Sequence, residues 1–292
     1  KVVYRRHTNF SLESIQQTFN GTVGFDKRVT AQISRNGDLI HKMYIEATVT
    51  GGTGYAPYLG QRLIKQVELE IGGQLIDRQY SQWMHVWNEL ALPSGKKDGY
   101  DKMIGSAYSA GKKLYIPLEF WFCRNVGLAL PLIALQYHEV KINVTFESAA
   151  NCAGGGTPTL DASLYVDYIF LDTDERRRFA QMSHEYLIEQ VQFTGTESMT
   201  DGSSKKIKLN FNHPVKEIVW VNVASDAAAD WKTFTPTGKG KLQLNGNDRF
   251  AERDSTYFSS VQPYQHHENI PDGKNINVYS FGLKPEEHQP SG

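Results

Sequence analysis

The chain has 292 residues, with 31 Lys and Arg against 32 Asp and Glu and a formal net charge of −1. That length allows about two domains, each able to bury a core, and the charge balance excludes a protein whose main work is coating nucleic acid, which needs excess cations to displace counterions. Two cysteines, Cys123 and Cys152, cannot build a disulfide framework and lack zinc-site spacing, and the longest apolar run, residues 126–135, is broken by Pro131 and too short to span a bilayer.

In chain order, residues 1–6 begin with Lys rather than Met and read as the middle of a longer polypeptide, so the start is expected to be missing. Asn20-Gly21 and Asn36-Gly37 supply the positive φ of tight turns. Val67, Leu69 and Ile71 alternate with Glu68 and Glu70, the period of a strand with one buried and one solvated face, and Gly72-Gly73 ends it. Trp83, Trp87 and Leu90 fall at i, i+4, i+7 with Met84 beside them, which predicts a helix capped by Ser81. Residues 114–122 are almost continuously apolar, as in a strand covered on both faces, and Val140, Ile142, Val144 and Phe146 alternate with polar residues. Gly-rich residues 51–54 and 148–158 read as loops. Thr173 is expected to cap a short helical turn whose acids precede Arg176, Arg177 and Arg178, the arginines being solvated or paired with Asp174 and Glu175. Ile207, Leu209 and Phe211, then residues 218–223 and 276–283, are strand-like. A second helix is predicted at Tyr257, Phe258 and Val261, capped by Asp254 or Ser255, and residues 283–292 form a polar connector.

The chain echoes itself. Phe19-Asn20-Gly21-Thr22 returns as Phe193-Thr194-Gly195-Thr196, Asn36 and its followers as the segment from Asn212, and Leu69-Glu70-Ile71-Gly72-Gly73 as Leu242-Gln243-Leu244-Asn245-Gly246, at offsets of 174, 176 and 173 residues. Three matches in one order at nearly one offset argue for an internal duplication. The expected fold is all-β: two tandem jelly rolls of about eight strands, residues 1–173 and 174–292, the second incomplete at its C-terminal end.

No phosphate-binding loop, nucleophile elbow or His-Glu-x-x-His is present. His266-His267-Glu268 is the nearest approach to a metal set, but adjacent residues on a strand point to opposite faces. Cys123, beside Trp121 and Phe122, is expected to be a buried apolar side chain. Asn9, Asn20 and Asn143 stand in N-glycosylation triplets. No catalytic residue, metal or cofactor is assigned, and a duplicated β domain of this kind suits a protein that works by contact.

The blocks Val3-Tyr4-Arg5-Arg6-His7-Thr8-Asn9-Phe10, Ile33-Ser34-Arg35-Asn36-Gly37-Asp38-Leu39, Val67-Glu68-Leu69-Glu70-Ile71-Gly72-Gly73-Gln74, Gly127-Leu128-Ala129-Leu130-Pro131-Leu132, Val166-Asp167-Tyr168-Ile169-Phe170-Leu171-Asp172-Thr173, Leu209-Asn210-Phe211-Asn212-His213-Pro214 and Val261-Gln262-Pro263-Tyr264 run through almost the whole chain. They resemble the major capsid proteins of nucleocytoplasmic large DNA viruses, especially those of algae and their giant relatives. The resemblance implies a double jelly roll, no enzymatic activity, and a homotrimer whose six similar domains make a pseudo-hexagonal capsomer of an icosahedral shell. It further implies neighbouring capsomers and minor capsid proteins as partners, an internal membrane on one side, no direct nucleic acid, and a place in the virion after assembly in the infected host cell. Against that family pattern an N-terminal arm and the last strands are expected to be lacking, and the loops at residues 222–240 are short. The rival reading is a carbohydrate-binding or glycan-processing jelly roll, which requires a groove with exposed aromatics and paired carboxylates.

Overall fold

The computed structural model describes residues 2–5, 7–225, 227–228 and 231–288; Lys1 and Arg6 of the first block and the end of the connector, residues 289–292, lie outside them. The strands of the first half are β1 (Phe10–Gln17), β2 (Phe19–Asn20), β3 (Arg28–Gln32), β4 (Leu39–Tyr55), β5 (Ile64–Ile71), β6 (Gln74–Tyr80), β7 (Lys113–Pro117), β8 (Leu130–Pro131), β9 (Val140–Phe146) and β10 (Ala153–Leu171). They form two five-stranded sheets. One runs β1-β10-β4-β7 with β8 on the end of β4; the other runs β2-β3-β9-β5-β6. Every pairing is antiparallel, and the chain crosses between the two sheets repeatedly, from β1 to β2, β3 to β4, β4 to β5, β6 to β7, β8 to β9 and β9 to β10, as in a jelly roll. Ile45, Val49, Leu164 and Val166 of the first sheet and Val67, Leu69, Ile142 and Val144 of the second share one buried cluster with Phe120, Phe122 and Phe146.

Several helices fill the connections: α1 (Leu59–Leu63), α2 (Ser81–Ala91), α3 (Lys97–Met103), α4 (Trp121–Arg124), α5 (Ala149–Cys152) and α6 (Thr173–Gln181). α2 is the predicted tryptophan helix, but Tyr80 stands at its N-cap, and Ser81, already helical, donates its hydroxyl to Gln82. The apolar run 114–122 is not one strand: β7 stops at Pro117 and the chain turns into α4, so its apolar residues are buried by different elements. The predicted loop at 148–158 is instead α5, capped by Ser148 Oγ on the Asn151 amide at 3.2 Å, followed by the start of β10. Gly155 and Gly156 there pair with Thr53 and Gly52, so both glycine clusters belong to the long β4–β10 ladder. The linker helix α6 is capped by Asp172, whose Oδ1 accepts the Glu175 amide at 2.9 Å, not by Thr173.

The second half holds β11 (Glu217–Trp220), β12 (Asn222–Val223), β13 (Phe234–Thr235), β14 (Gln243–Leu244), β15 (Asn247–Asp248) and β16 (Asn277–Ser280), in three two-stranded pairs. Between α6 and β11 the chain crosses residues 182–216 with no ladder partner among the described residues, so the predicted strand at Ile207, Leu209 and Phe211 is left unpaired. The predicted second helix is a π-helical turn, Tyr257–Val261, continuing into α7 (Gln262–His266). Asp254 closes its start, with Oδ1 accepting the Thr256 amide at 3.0 Å.

Candidate functional site

The two halves meet around α2. Its Val86 and Leu90 pack with Phe234, Ile276 and Val278 of the second half, while Met84 belongs to the core of the first. The helix C-terminus leaves carbonyls unpaired. Asn269 satisfies two of them, its backbone N–H donating to Leu90 O at 3.0 Å and its side-chain amide to Leu92 O. The loop between β12 and β13 inserts Trp231 into the core of the first sandwich, where it is fully buried. Its indole donates to Pro57 O at 2.6 Å, and the Arg62 guanidinium lies 5.6 Å from its ring centre.

Polar groups line the rest of this seam. Lys232 Nζ sits 3.9 Å from the centre of the Tyr58 ring, and Lys97 reaches Asp101 at 2.6 Å and Glu89 at 3.5 Å. Burial, reinforced by Lys232, Lys97 and Lys274, pushes the pKa of His85 down to about 3. The ring is therefore neutral, and its Nδ1 meets Gln61 Oε1 at 3.0 Å. The connector after α6 is fastened along the same side. Val191 N donates to Asp77 Oδ1 at 3.0 Å, and Glu189 accepts from Arg124 at 3.3 Å and Lys216 at 2.7 Å. Burial raises Asp77 to about 6 despite the hydrogen bonds of Val191 and Gln79. An open groove of about 540 Å³ remains between β6 and residues 190–194.

The residues singled out in the sequence fall apart spatially. His266 and His267 point to different partners: His266 Nδ1 meets Leu283 O at 2.9 Å, whereas His267 is clamped by Glu217 and Glu286, each at 2.7 Å. Cys123 and Cys152 are both buried; burial raises both thiols, that of Cys152 to about 12, so neither is a nucleophile. Glu68 does not face solvent. It is 3% exposed and held by Arg28 at 2.6 Å and Arg78 at 2.7 Å, because the adjacent strand β6 and, from across β9, strand β3 each bring an arginine over it. Of the linker arginines, Arg178 pairs with Glu175 at 3.4 Å and Arg176 with Asp38 at 3.0 Å. Asn9 and Asn20 are exposed. Asn143 is 5% exposed, its Oδ1 accepting from Thr30 at 2.7 Å and its amide donating to Glu70 at 3.3 Å, which leaves no room for a glycan on the folded chain.

Sequence reasoning missed Trp231, Asn269, and the two carboxylates on His267. Only Trp231 carried a signal, a lone tryptophan in an alanine-rich loop. What the geometry builds is a joint between two β units, with no assembled set of reacting groups among the described residues.

Comparison with known proteins is consistent with this. Residues 1–172 match the family model described as major capsid protein N-terminus, and residues 175–292 the model described as large eukaryotic DNA virus major capsid protein. The major capsid protein of Pyramimonas orientalis virus is 56% identical, over all of this chain and 82% of its own length. That of Paramecium bursaria Chlorella virus 1 is 45% identical, over all of this chain and 78% of its own. The solved structure of PBCV-1 VP54, fitted into a cryo-EM reconstruction of the virophage Sputnik, superposes with a TM-score of 0.87 at 42% identity, covering 100% of this chain and 82% of that one. The fold class is the double jelly roll of these capsid proteins. The chain belongs to the major capsid protein family of large eukaryotic DNA viruses, a family whose work is structural, in the capsid of the virion.

Proposed function

We propose that three copies of this member of the family associate into one capsomer, and that its pseudo-hexagonal outline comes from six jelly rolls, two per chain. The observation that carries the reading is the joint at α2. One helix buries side chains in both halves, and Trp231 crosses from one half into the core of the other. Two β units held this way act as a single tile edge, so a threefold ring of them approximates sixfold packing. Residues 1–173 and 174–292 are the two units on this reading. Neighbouring capsomers meet around the rim, and minor capsid proteins meet the end that faces an internal membrane. Of the three glycosylation triplets, Asn9 and Asn20 are the ones a glycan could reach, since both are exposed.

Light scattering of the full-length chain at micromolar concentration is expected to give three times the monomer mass, with hexagonal outlines in negative-stain images. A stable monomer at that concentration overturns the reading.

A further inference from the structure

Residues 187–193, which lead from α6 into the second half, run along the first half as a strap. They join no ladder among the described residues, so a few ties hold them. Val191 N donates to Asp77 Oδ1 at 3.0 Å, Glu189 accepts from Arg124 at 3.3 Å, and the Phe193 ring meets that of Tyr80 edge to face at 5.1 Å. On the far side of the strap, Lys216 donates to Glu189 at 2.7 Å and His288 lies 3.9 Å from it. The tie at Val191 differs from the rest because its acceptor is a carboxyl only 2% exposed.

The groups around Asp77 leave little for an anion. Across the β5–β6 ladder it opposes the apolar Leu69. Its neighbour Arg78 turns away to Glu68 at 2.7 Å. Arg124 of α4 favours the ionised form, but its guanidinium is engaged elsewhere: Nε donates to Glu119 O at 3.1 Å, Nη1 to Glu189, and its centre lies 4.1 Å from that of the Trp87 ring. The second acid of the cluster, Glu119, accepts from Asn88 of α2 at 3.1 Å, and burial raises its pKa as it does that of Asp77. A hydrogen-bond orphan points the same way. Gln79, 1% exposed, donates Nε2 to Asp77 Oδ2 at 3.0 Å and to Glu119 O at 2.8 Å, and leaves Oε1 without a partner among the described residues. Turned over, that amide accepts from a protonated Asp77 while Glu119 O keeps Arg124; an ionised Asp77 has no proton to give. Water is close at hand, because Asp77 stands in the wall of the groove of about 540 Å³, which Glu197 and Lys208 also line.

We propose that Asp77 and the strap form an acid latch: the strap lies on β6 while the carboxyl holds its proton and lifts as the carboxyl ionises. Two effects compete. The neutral carboxyl accepts the Val191 N–H and costs little to bury. Ionisation strengthens that hydrogen bond but leaves a charge with no cation of its own in a site closed to water, and lifting the strap hydrates it. Burial outweighs the hydrogen bonds, since the pKa stands at about 6 against an ordinary 3.8. Closing the strap therefore takes up a proton over that window, and closure weakens as the pH rises. Val86, Leu90 and Trp231 join the halves elsewhere, so the latch governs how closely the linker follows the first half, not whether the halves stay together. One chain suffices for it, whatever the assembly.

The test is hydrogen exchange read by mass spectrometry on the full-length chain, from about pH 4.5 to about pH 7.5, with each rate divided by the intrinsic rate at that pH. In the parent, protection of peptides covering residues 187–193 is expected to fall at least about tenfold across this window; a shift of about two pKa units allows roughly a hundredfold. Asp77→Asn keeps an acceptor for Val191 and cannot ionise, so its strap should stay within about threefold throughout. Peptides from β10, in the core of the first half, should hold steady in both proteins. A flat profile in the parent, an equal fall in Asp77→Asn, or a fall in β10 as large as that of the strap each overturns the latch. So does a profile flattened by Glu119→Gln and not by Asp77→Asn, which moves the titration to the other carboxyl. Should Asp77→Asn fail to fold, the parent alone decides: a midpoint near pH 6 supports the latch, and no step in the window overturns it.

Discussion

His267 presents both ring nitrogens to carboxylates, Glu217 Oε2 and Glu286 Oε1, each at 2.7 Å, with its side chain wholly buried. Burial by itself lowers the imidazole pKa, but the two charged hydrogen bonds outweigh it and raise the value from 6.5 to about 9. The folded state therefore holds a proton that the unfolded chain releases. Stability from this clamp is complete below about pH 6.5 and disappears as the pH climbs through about 9; linkage over that window amounts to about 3 kcal/mol. Thermal melting between pH 6 and pH 10 is expected to fall more steeply for the parent than for His267→Gln, and parallel curves would mean that the ring is not charged in the fold. Asp77 has the same sign, in a more acidic window. Its carboxyl, raised from 3.8 to about 6 chiefly by burial, is more readily protonated when folded, so its contribution weakens as the pH rises between those values. The melting difference between Asp77→Asn and the parent should accordingly shift in favour of the variant from pH 4 to pH 8. A difference that stays flat would place the ionised carboxylate comfortably in the fold.

At the scale of the element, β4 and β10 show what a ladder asks of its residues. Gly156 has φ +81°, and a Cβ there would lie 2.6 Å from Gly51 O; Gly51 has φ +79°, with Thr157 O 2.7 Å from the same construction. The two backbones touch where a side chain would stand. Gly73 has a similar φ of +80° with nothing within 4 Å. Gly73→Ala is thus expected to cost only the left-handed backbone penalty, about 1 kcal/mol, and Gly156→Ala roughly 2 kcal/mol or more beyond it, as measured by chemical denaturation. Equal costs would show that the close approach relaxes freely. The same ladder marks the limit of what was legible in advance. Alternation at Val67, Leu69 and Ile71 and the i, i+4, i+7 spacing at Trp83, Trp87 and Leu90 are local patterns, and both elements lie where they predict. Glycines at 51–54 and 154–156 look flexible singly and become strand only against each other, about 100 residues apart. The run 114–122 is apolar for two reasons at once, strand β7 and helix α4, and periodicity cannot separate them. Ile207, Leu209 and Phe211 carry the alternation of a strand, but a pattern names a face and never a partner.

Over the whole molecule, the question is whether the two halves unfold as one. Little of the joint could be read beforehand: the Trp231 to Pro57 bond spans 174 residues, and Asn269 reaches the end of α2 from 177 residues away. Neither contact has a local signature, since each depends on where the other half happens to lie. Both nevertheless use groups that would otherwise be costly to bury, an indole N–H and the last carbonyls of a helix. Removing the indole removes the plug and its hydrogen bond together. Trp231→Ala is expected to destabilise by about 3–5 kcal/mol, the usual range for a large aromatic taken from a core. It should also split the calorimetric transition into two, because the apolar coupling of the second half to the first then falls chiefly to the small cluster of Phe234, Ile276 and Val278 on Val86 and Leu90, beside the polar ties of Asn269, Val191 and Glu189. Trp231→Phe keeps most of the apolar volume and loses only the bond to Pro57, so it should melt lower but in a single step. If both variants melt in one step at nearly the parent temperature, the indole does not join the halves, and a tile made of two rigidly coupled units loses its mechanical basis. If Trp231→Ala alone splits, a single side chain sets how far a capsomer subunit behaves as one body when neighbours pull on it.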